Sequence, residues 1–332
     1  MRQATNMIFA LPKVGKTRLM LAMLSEFLKG RGEFAGIPLH PGREKLLILG
    51  PDQSESSWAS YLRSADLLIR TGQLHEGIVA MTTAETFFTL DQYWLSRVEE
   101  KLREHGPLVV LLDSYSASIR ALGVDENRSE AATPLMQLHN LVHQYDSTLI
   151  VIHHSNKGGG DGSAAKASRG SSAISACADN LIEMNVHRGS EEDGAKKYEL
   201  NVEGRAETDG IPLIGFTKQS NEWISYGSLN DIRAEQRKDS NYDGLTQPQL
   251  MVLHALVEAT TQDNKGLSVG ELAEVLHEEP TKSQKVGMSK TVNRLVELGF
   301  AVQKPGQGGT SRYPQNLFMA TGWAVSKHQI TF

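Results

Sequence analysis

The chain lacks most of the features that mark secreted, membrane-bound and metal-clustered proteins. Among its 332 residues there is one cysteine, Cys177. A single cysteine excludes an internal disulfide framework and a cysteine-based zinc site, and it fits a reducing compartment. No apolar run approaches the ~18 residues of a membrane span, and the N-terminus carries no basic and apolar signal pattern. We therefore expect a cytoplasmic protein that does not contact membranes.

Charge of one sign is not in large excess either. The sequence has 34 lysines and arginines against 39 aspartates and glutamates, a formal net charge of −5. This balance argues against a protein that coats duplex DNA over its whole surface, but it is compatible with a local basic groove or pore. Hydrophobic residues make up 39% and charged residues 22%, which is a globular composition. At ~150 residues per domain, the length predicts two domains.

The first two thirds of the chain alternate between short apolar runs and amphipathic, helix-like runs. The apolar runs, predicted as buried strands, are residues 7–10, 46–49, 78–81, 108–112 and 149–153. The predicted helices include residues 17–28, 91–104 and 130–144. This alternation predicts an α/β fold, with a mostly parallel sheet covered by helices on both faces. Strand-like runs at 180–186, 197–202, 211–216 and 223–226 follow without helices and predict an antiparallel extension.

The pattern changes after residue 227. Residues 228–244 are charged and weakly apolar, and we interpret them as a linker between a first domain, 1–227, and a second, 245–332. Capping-box patterns at Thr246 and Ser268 open two helices of the second domain, and residues 289–298 fit a third. Two strand-like runs flank the glycine-rich stretch 306–310 and predict a hairpin. Three helices and a hairpin predict a small α+β domain of the winged-helix type.

Residues 10–17 read Ala-Leu-Pro-Lys-Val-Gly-Lys-Thr and lie between a predicted strand and a predicted helix. This context is typical of a phosphate-binding P-loop, in which backbone N–H groups at the helix start cradle phosphate oxygens. We expect ATP to be bound by Ala10, Pro12, Lys13, Val14, Gly15, Lys16, Thr17 and Arg18. Lys16 would reach the β- and γ-phosphates and would be exposed in the empty site. Ala10 replaces the usual first glycine, but it is the smallest alternative and should still let the loop close.

An apolar strand at 108–112 ends in a carboxylate, Asp113. Beside a P-loop, this pattern is typical of the aspartate that holds the magnesium shell. We therefore predict a Mg²⁺ site formed by Asp113 and the Thr17 hydroxyl. The alternatives are a Gly-Lys-Thr that occurs by chance at a helix start and an aspartate that merely ends a strand at a turn.

Several segments together resemble RepA-type hexameric helicases, which belong to the RecA/DnaB-like P-loop ATPases. The shared features, in the same order, are Val14-Gly-Lys-Thr, the Asp113 strand, Ile152-His-His with Lys157, and Arg169-Gly-Ser-Ser-Ala-Ile with Asp179. The resemblance covers roughly residues 5–226. It implies a RecA-like P-loop core that assembles into a homo-hexameric ring with ATP between subunits. Relatives carry more chain before the first strand, so we expect an incomplete start or an uncovered sheet edge.

The resemblance also implies roles for two residues at strand ends. The family places a glutamate after the second strand to polarise the attacking water. Asp52 aligns best with that position and Glu55 is the second choice; the alternative is that Asp52 caps the following helix. His154 ends the strand beside the γ-phosphate position and would sense phosphate by donating a hydrogen bond. The alternative is a structural histidine at a strand end.

Arg205 takes the position of the family's arginine finger, which reaches the ATP of the neighbouring subunit. The family also carries a lysine two residues earlier, where this chain has Glu203. The lysine-dependent part of that interaction is therefore not expected here. The alternative is an arginine at a hairpin tip in solvent.

Two basic segments are candidate DNA contacts. In the family, the segment 157–172 lines the ring channel, and its Lys157, Lys166 and Arg169 would follow the phosphates of single-stranded DNA. In the second domain, the local positive excess predicts duplex DNA contacts by Lys285, Lys290, Arg294 and Arg312. The alternatives are a surface loop for the first segment and binding of a replication protein for the second.

The favoured interpretation is an ATP-dependent DNA translocase, a helicase of plasmid or phage-type replication. The alternative is an ATP-switched DNA-binding regulator of replication or of a mobile element, without unwinding activity. A third possibility is a core that only binds nucleotide. A motor needs Arg205 and a base at Asp52, whereas a switch needs only Lys16 and Asp113.

Overall fold

The computed structural model describes residues 3–69, 72–154, 172–187, 194–204, 210–310 and 313–331. The chain divides into two compact units, Met1–Asp231 and Ile232–Phe332. Among the described residues, no helix is both long enough and apolar enough to cross a bilayer.

The first unit contains a nine-stranded sheet, in the order β11-β10-β9-β8-β1-β7-β6-β4-β5. Its strands are β1 (Thr5–Ala10), β4 (Lys45–Leu49), β5 (Ile78–Thr82), β6 (Leu108–Asp113), β7 (Thr148–His154), β8 (Asn180–Val186), β9 (Ala195–Gly204), β10 (Pro212–Thr217) and β11 (Glu222–Ser228). A separate two-stranded ribbon pairs β2 (Glu33–Phe34) with β3 (Ile37–Pro38). Six strands that are consecutive in this order pair in parallel: β8, β1, β7, β6, β4 and β5. The remaining strands, β9, β10 and β11, are joined to the sheet by antiparallel pairing.

Helices cover both faces of this sheet. They are α1 (Lys16–Leu28), α2 (Glu55–Ser64), α3 (Gln92–His105), α4 (Tyr115–Ile119), α5 (Thr133–Gln144) and α6 (Ser172–Ala176). One core packs α1 and α2 against one sheet face, and a second core packs α3, α4 and α5 against the other. Strands such as β6 are buried at every position, because a parallel strand with helices on both sides has no solvent face.

The α/β fold and its mostly parallel sheet are therefore confirmed. One detail differs from expectation: β8 pairs in parallel with β1, so the antiparallel extension begins at β9 and not at β8. Strand identity is readable from apolar runs, but pairing direction depends on which neighbour each strand meets.

The second unit contains α8 (Gln247–Asp263), α9 (Val269–Leu276), α10 (Lys282–Glu297) and α11 (Gly322–Thr331), with a hairpin of β12 (Ala301–Thr310) and β13 (Tyr313–Ala320). The segment predicted as a linker forms another helix, α7 (Leu229–Asp243). Tyr242, near its end, is 6% exposed and packs edge-on against Phe300 and Trp323. Tyr242 belongs to the hydrophobic core of the second unit, so the end of α7 is part of a packed domain.

Candidate functional site

The segment between β1 and α1 forms a tight phosphate-type loop. Gly15 precedes α1 with φ +117°, and Lys13 has φ 64°. A side chain at position 15 would be strained, because L-residues rarely adopt that backbone conformation. No side chain caps the helix, and its first turn carries no acidic residue. The N–H groups of this first turn are therefore available to an anion such as a phosphate group.

Lys16 is 6% exposed, so the expectation of an exposed lysine was wrong. Its Nζ donates to the carbonyl oxygens of Ala10 at 2.9 Å and Leu11 at 3.2 Å, and lies 3.5 Å from His154 Nδ1. Burial lowers the pKa of Lys16 to about 8, while the carboxylates of Asp113 and Asp52 act in the opposite direction. The Lys16 ammonium thus donates hydrogen bonds to two carbonyl oxygens of the loop, and a bound phosphate group would have to replace these acceptors. Ala10 is itself buried at the end of β1, and the loop closes without a glycine there.

Thr17, in the first turn of α1, contacts Asp113, the last residue of β6. The Thr17 hydroxyl donates to Asp113 Oδ2 at 2.6 Å, and Asp113 is 2% exposed. Burial raises the pKa of Asp113 to about 6, and the nearby Asp52 carboxylate contributes, whereas the Thr17 hydrogen bond and Lys16 oppose the rise. A hydroxyl and a carboxylate in contact are the hard oxygen donors that Mg²⁺ prefers, so the residues present fit this ion.

A cleft of about 470 Å³ brings the predicted residues together. Lys16, Thr17, Asp52, Asp113 and His154 all line it. They converge because the parallel strands β1, β4, β6 and β7 end at the same sheet edge, where ligands bind in open α/β folds.

Asp52 lies in this cleft, whereas Glu55 is an exposed first residue of α2 and is not part of the lining. The cap of α2 is Ser54, whose hydroxyl accepts the Ser57 N–H at 3.3 Å. Asp52 therefore does not perform the capping role that was its alternative. Its action on a water molecule stays a prediction.

The two histidines at the end of β7 face opposite sides of the sheet, as the two-residue period of a strand requires. His154 faces the cleft beside Lys16. His153 is fully buried, with Nδ1 at 3.3 Å from Ser116 Oγ and its ring edge-on to Tyr115. His154 is therefore the histidine available to a ligand, and phosphate sensing stays a prediction.

An aromatic wall that sequence reasoning missed closes the other side of the cleft. We define it as Tyr198 on β9, Phe216 on β10 and Trp223 on β11. Trp223 lies 5.7 Å from the Tyr198 ring and 5.1 Å from the Phe216 ring. The Arg18 guanidinium lies 4.7 Å above Phe216. The only signal in the sequence was the alternation of side chains along residues 196–200 and 214–218. Alternation does not reveal which strands are neighbours or in which register they pair, so the wall could not be predicted.

Five predicted residues lie outside the described part of the chain. They are Lys157, Lys166, Arg169, Arg205 and Arg312. The strand that precedes Arg205, β9, ends at Gly204. In the second unit, Lys285, Lys290 and Arg294 are exposed on α10, and Arg294 pairs with Glu297 at 2.8 Å.

Residues 1–160, which include the phosphate loop, Asp113 and His154, match a family described as AAA domain. A solved KaiC-like protein from the hyperthermophilic archaeon Pyrococcus horikoshii is similar to the chain, with 15% identity and a TM-score of 0.47 over 68% of this chain and 90% of that chain. A search of curated proteins finds no significant match.

The burial of Asp113 at the end of β6 predicts an unusual pH dependence of stability. The pKa of Asp113 is raised to about 6 in the folded protein. Between about pH 4 and pH 6 its carboxyl therefore holds a proton in the folded state but is ionised in the unfolded chain. Its contribution to the free energy of unfolding must therefore fall as pH rises through this window. Asp113→Asn keeps an oxygen for the Thr17 hydroxyl but cannot titrate. Urea unfolding at several pH values should show the wild type losing stability relative to Asp113→Asn between pH 4 and pH 6.

Asp125→Asn is the matched control. Asp125 is exposed, and hydrogen bonds from Asn127 lower its pKa, so its contribution should rise with pH. An Asp113 contribution that also rises with pH would show that the site stabilises the ionised carboxylate already without magnesium.

Proposed function

We propose that the protein is an ATP-driven DNA translocase, a helicase of a RepA-like ring that acts in plasmid or phage-type replication. The observation that supports this most directly is the cleft in which Lys16, Thr17, Asp52, Asp113 and His154 converge. Phosphate-binding, metal-binding and water-positioning groups are the parts that ATP hydrolysis requires at one place. These described residues support ATP hydrolysis. The proposed movement along DNA also depends on Lys157, Lys166, Arg169 and Arg205, which lie outside the described residues.

ATP would bind with its phosphates at the first turn of α1. The N–H groups there and the Lys16 ammonium would hold the phosphate oxygens, with Lys16 leaving the Ala10 and Leu11 carbonyls. Thr17 and Asp113 would hold Mg²⁺, which when bound neutralises charge on the phosphates. Asp52 would orient the attacking water, and His154 would contact the γ-phosphate.

The aromatic wall supports a nucleotide rather than a free phosphate as the ligand. A purine base is flat and apolar on both faces, and aromatic side chains and guanidinium planes stack on such surfaces. Tyr198 and Phe216 are each 5% exposed, so the half-buried Trp223 ring and the Arg18 guanidinium above Phe216 would offer the surfaces for stacking. Lys196 and Lys218, also on the cleft lining, add positive charge for a polyphosphate.

The proposed assembly is a homo-hexamer in which Arg205 completes the neighbouring site. The register of β9 supports action between subunits rather than within one, because β9 ends at Gly204, which pairs with Asn180 at the sheet edge opposite the cleft. Lys157, Lys166 and Arg169 follow β7, whose last residue is His154. Because His154 would contact the γ-phosphate, the segment that follows it would change with the state of the nucleotide. It would thereby transmit that state to single-stranded DNA in a channel.

The second unit would act as a winged-helix domain for duplex DNA or a replication protein. Four basic residues, Lys282, Lys285, Lys290 and Arg294, are exposed on α10, while Met288, Val292 and Leu295 bury its other face. A basic, exposed third helix next to a hairpin is the arrangement that enters a DNA groove. This helix also favours the second candidate function, an ATP-switched DNA-binding regulator, because site binding alone requires no motor.

One experiment distinguishes the two functions. We expect ATP hydrolysis to be stimulated by single-stranded DNA and a forked duplex to be separated in an ATP-dependent manner. Stimulation by duplex DNA alone, with no strand displacement, would favour the regulator. Hydrolysis that no DNA changes would contradict both.

Charge removal on α10 tests the duplex contact without deleting a folded part. Lys285→Gln with Lys290→Gln removes two exposed charges, so the slope of log affinity against log salt should fall by about 2. The matched control is Arg233→Gln with Arg237→Gln, which removes two exposed charges from α7 of the same unit. Equal loss of duplex affinity in both variants would show a nonspecific charge effect, and an unchanged slope would assign α10 to a protein partner.

A further inference from the structure

Two histidines and an aspartate cluster at the amino end of β1, the strand whose other end carries the phosphate loop. His139 and His143 lie one turn apart on α5, and Asp179 directly precedes β8. One potential ligand atom from each residue lies within 4.8 Å of the others. All three side chains are half-buried, so an ion can reach them from solvent. We propose that His139, His143 and Asp179 form a zinc-class transition-metal site, separate from the nucleotide cleft and independent of the proposed function.

The inner nitrogens of both imidazoles point at one position. Thr5 Oγ1 lies 2.8 Å from His139 Nδ1 and 3.3 Å from His143 Nε2, and Thr5 is fully buried. The rings stack with centroids 4.1 Å apart and planes 27° from parallel. Helical spacing of four residues places both side chains on one face, and stacking fixes their orientation. Two nitrogen donors are thus directed toward a common point before any ion binds.

The third donor is held by the backbone of β1. The Thr5 N–H donates to Asp179 Oδ2 at 2.9 Å, and the Asp179 N–H donates to the Thr5 carbonyl at 2.8 Å. This reciprocal pair fixes the carboxyl group next to the Thr5 hydroxyl. Orientation of a carboxylate ligand by hydrogen bonds is the outer-shell support that metal sites require.

The donor set and the distances suit a small divalent ion. Two imidazoles and a carboxylate are ligands that zinc accepts, and zinc–ligand bonds of ~2.0–2.2 Å imply ligand separations of about 3.3 Å in a tetrahedral site. Donor atoms within 4.8 Å of one another would have to draw together by up to about 1.5 Å, and the two imidazoles would exchange their contacts with the Thr5 hydroxyl for the ion. The Thr5 hydroxyl or a water molecule would fill the fourth position. A bound ion would tie the amino end of β1 to α5 and to the start of β8.

The test uses the full chain without an affinity tag, freed of metal by a chelator. Titration with Zn²⁺ against a chromophoric chelator should give one ion per chain, and Co²⁺ should give the visible absorption of a tetrahedral nitrogen and oxygen site. Because the ion binds the folded state, saturating Zn²⁺ should raise Tm by about 5 °C. His143→Gln and Asp179→Asn should abolish all three effects. His105→Gln, at the end of α3, should retain them.

Absence of stoichiometric Zn²⁺ binding in the wild type would overturn the proposal, as would equal binding by His143→Gln and the wild type. Should the variants fail to fold, the unmodified protein still decides the question. Zn²⁺ must then shift the ring-nitrogen NMR signals of His139 and His143. Shifts confined to other histidines would assign the ion elsewhere.

Discussion

Lys16→Ala is expected to reduce ATP hydrolysis by on the order of 10²–10³-fold, the loss seen when one preorganised donor to developing charge is removed. The Lys16 ammonium lies 3.5 Å from His154 Nδ1, and the Thr17–Asp113 pair lines the same cleft. Nucleotide binding should also weaken. Steady-state hydrolysis and fluorescent-nucleotide titration measure the two effects separately.

The buried position of Lys16 changes the expected effect on folding. The substitution leaves the Ala10 and Leu11 carbonyls without their donor, which is unfavourable, but it also removes a buried charge whose pKa is lowered by burial. The two effects oppose each other, so we expect a change in unfolding free energy of about 1 kcal/mol or less. Lys29→Ala, at the far end of α1, is the control. Undiminished hydrolysis by folded Lys16→Ala protein would contradict the assignment of the cleft.

Arg205→Ala is expected to keep ATP binding and to lose hydrolysis by ~10³–10⁵-fold, the range for arginine fingers. An arginine supplied by the next subunit would stabilise charge that develops on the γ-phosphate. The measurement is hydrolysis rate against nucleotide affinity. A normal rate in Arg205→Ala would refute the finger and favour the ATP-switched regulator over the ring motor.

Mixing the two inactive variants tests whether Arg205 acts between subunits. Lys16→Ala subunits lack a working ATP site but carry Arg205. Arg205→Ala subunits keep the Lys16 site but lack the arginine. Some mixed interfaces would pair an intact Lys16 site with an intact Arg205, so the mixture should regain part of the activity. Lys29→Ala mixed with Arg205→Ala should show only the dilution of active subunits. No recovery, despite demonstrated subunit exchange, would place Arg205 outside the neighbouring site.

Local patterns in the sequence were sufficient for much of the core. The strand at 108–112 is continuous and apolar because it is buried on both faces, and the structure has it as β6 (Leu108–Asp113). The P-loop was readable because its backbone geometry depends on neighbouring residues such as Gly15. Asp113 was predictable because it ends such a strand, and the ends of parallel strands meet at one edge. His154 ends β7 at the same edge, but its role was implied by the family resemblance.

The sequence by itself thus determined the α/β class, the strands and the phosphate loop, since each depends on residues close together in the chain. Only the tertiary structure decided that Lys16 is buried, that Asp52 lines the cleft while Ser54 caps α2, and that the aromatic wall faces the P-loop. These depend on strand order and register, which place β9, β10 and β11 beside residues up to about two hundred positions away. The His139, His143 and Asp179 cluster has the same origin, because Thr5 joins it only through the pairing of β1 with its neighbours. Local sequence sets which elements form, and long-range packing sets which side chains meet.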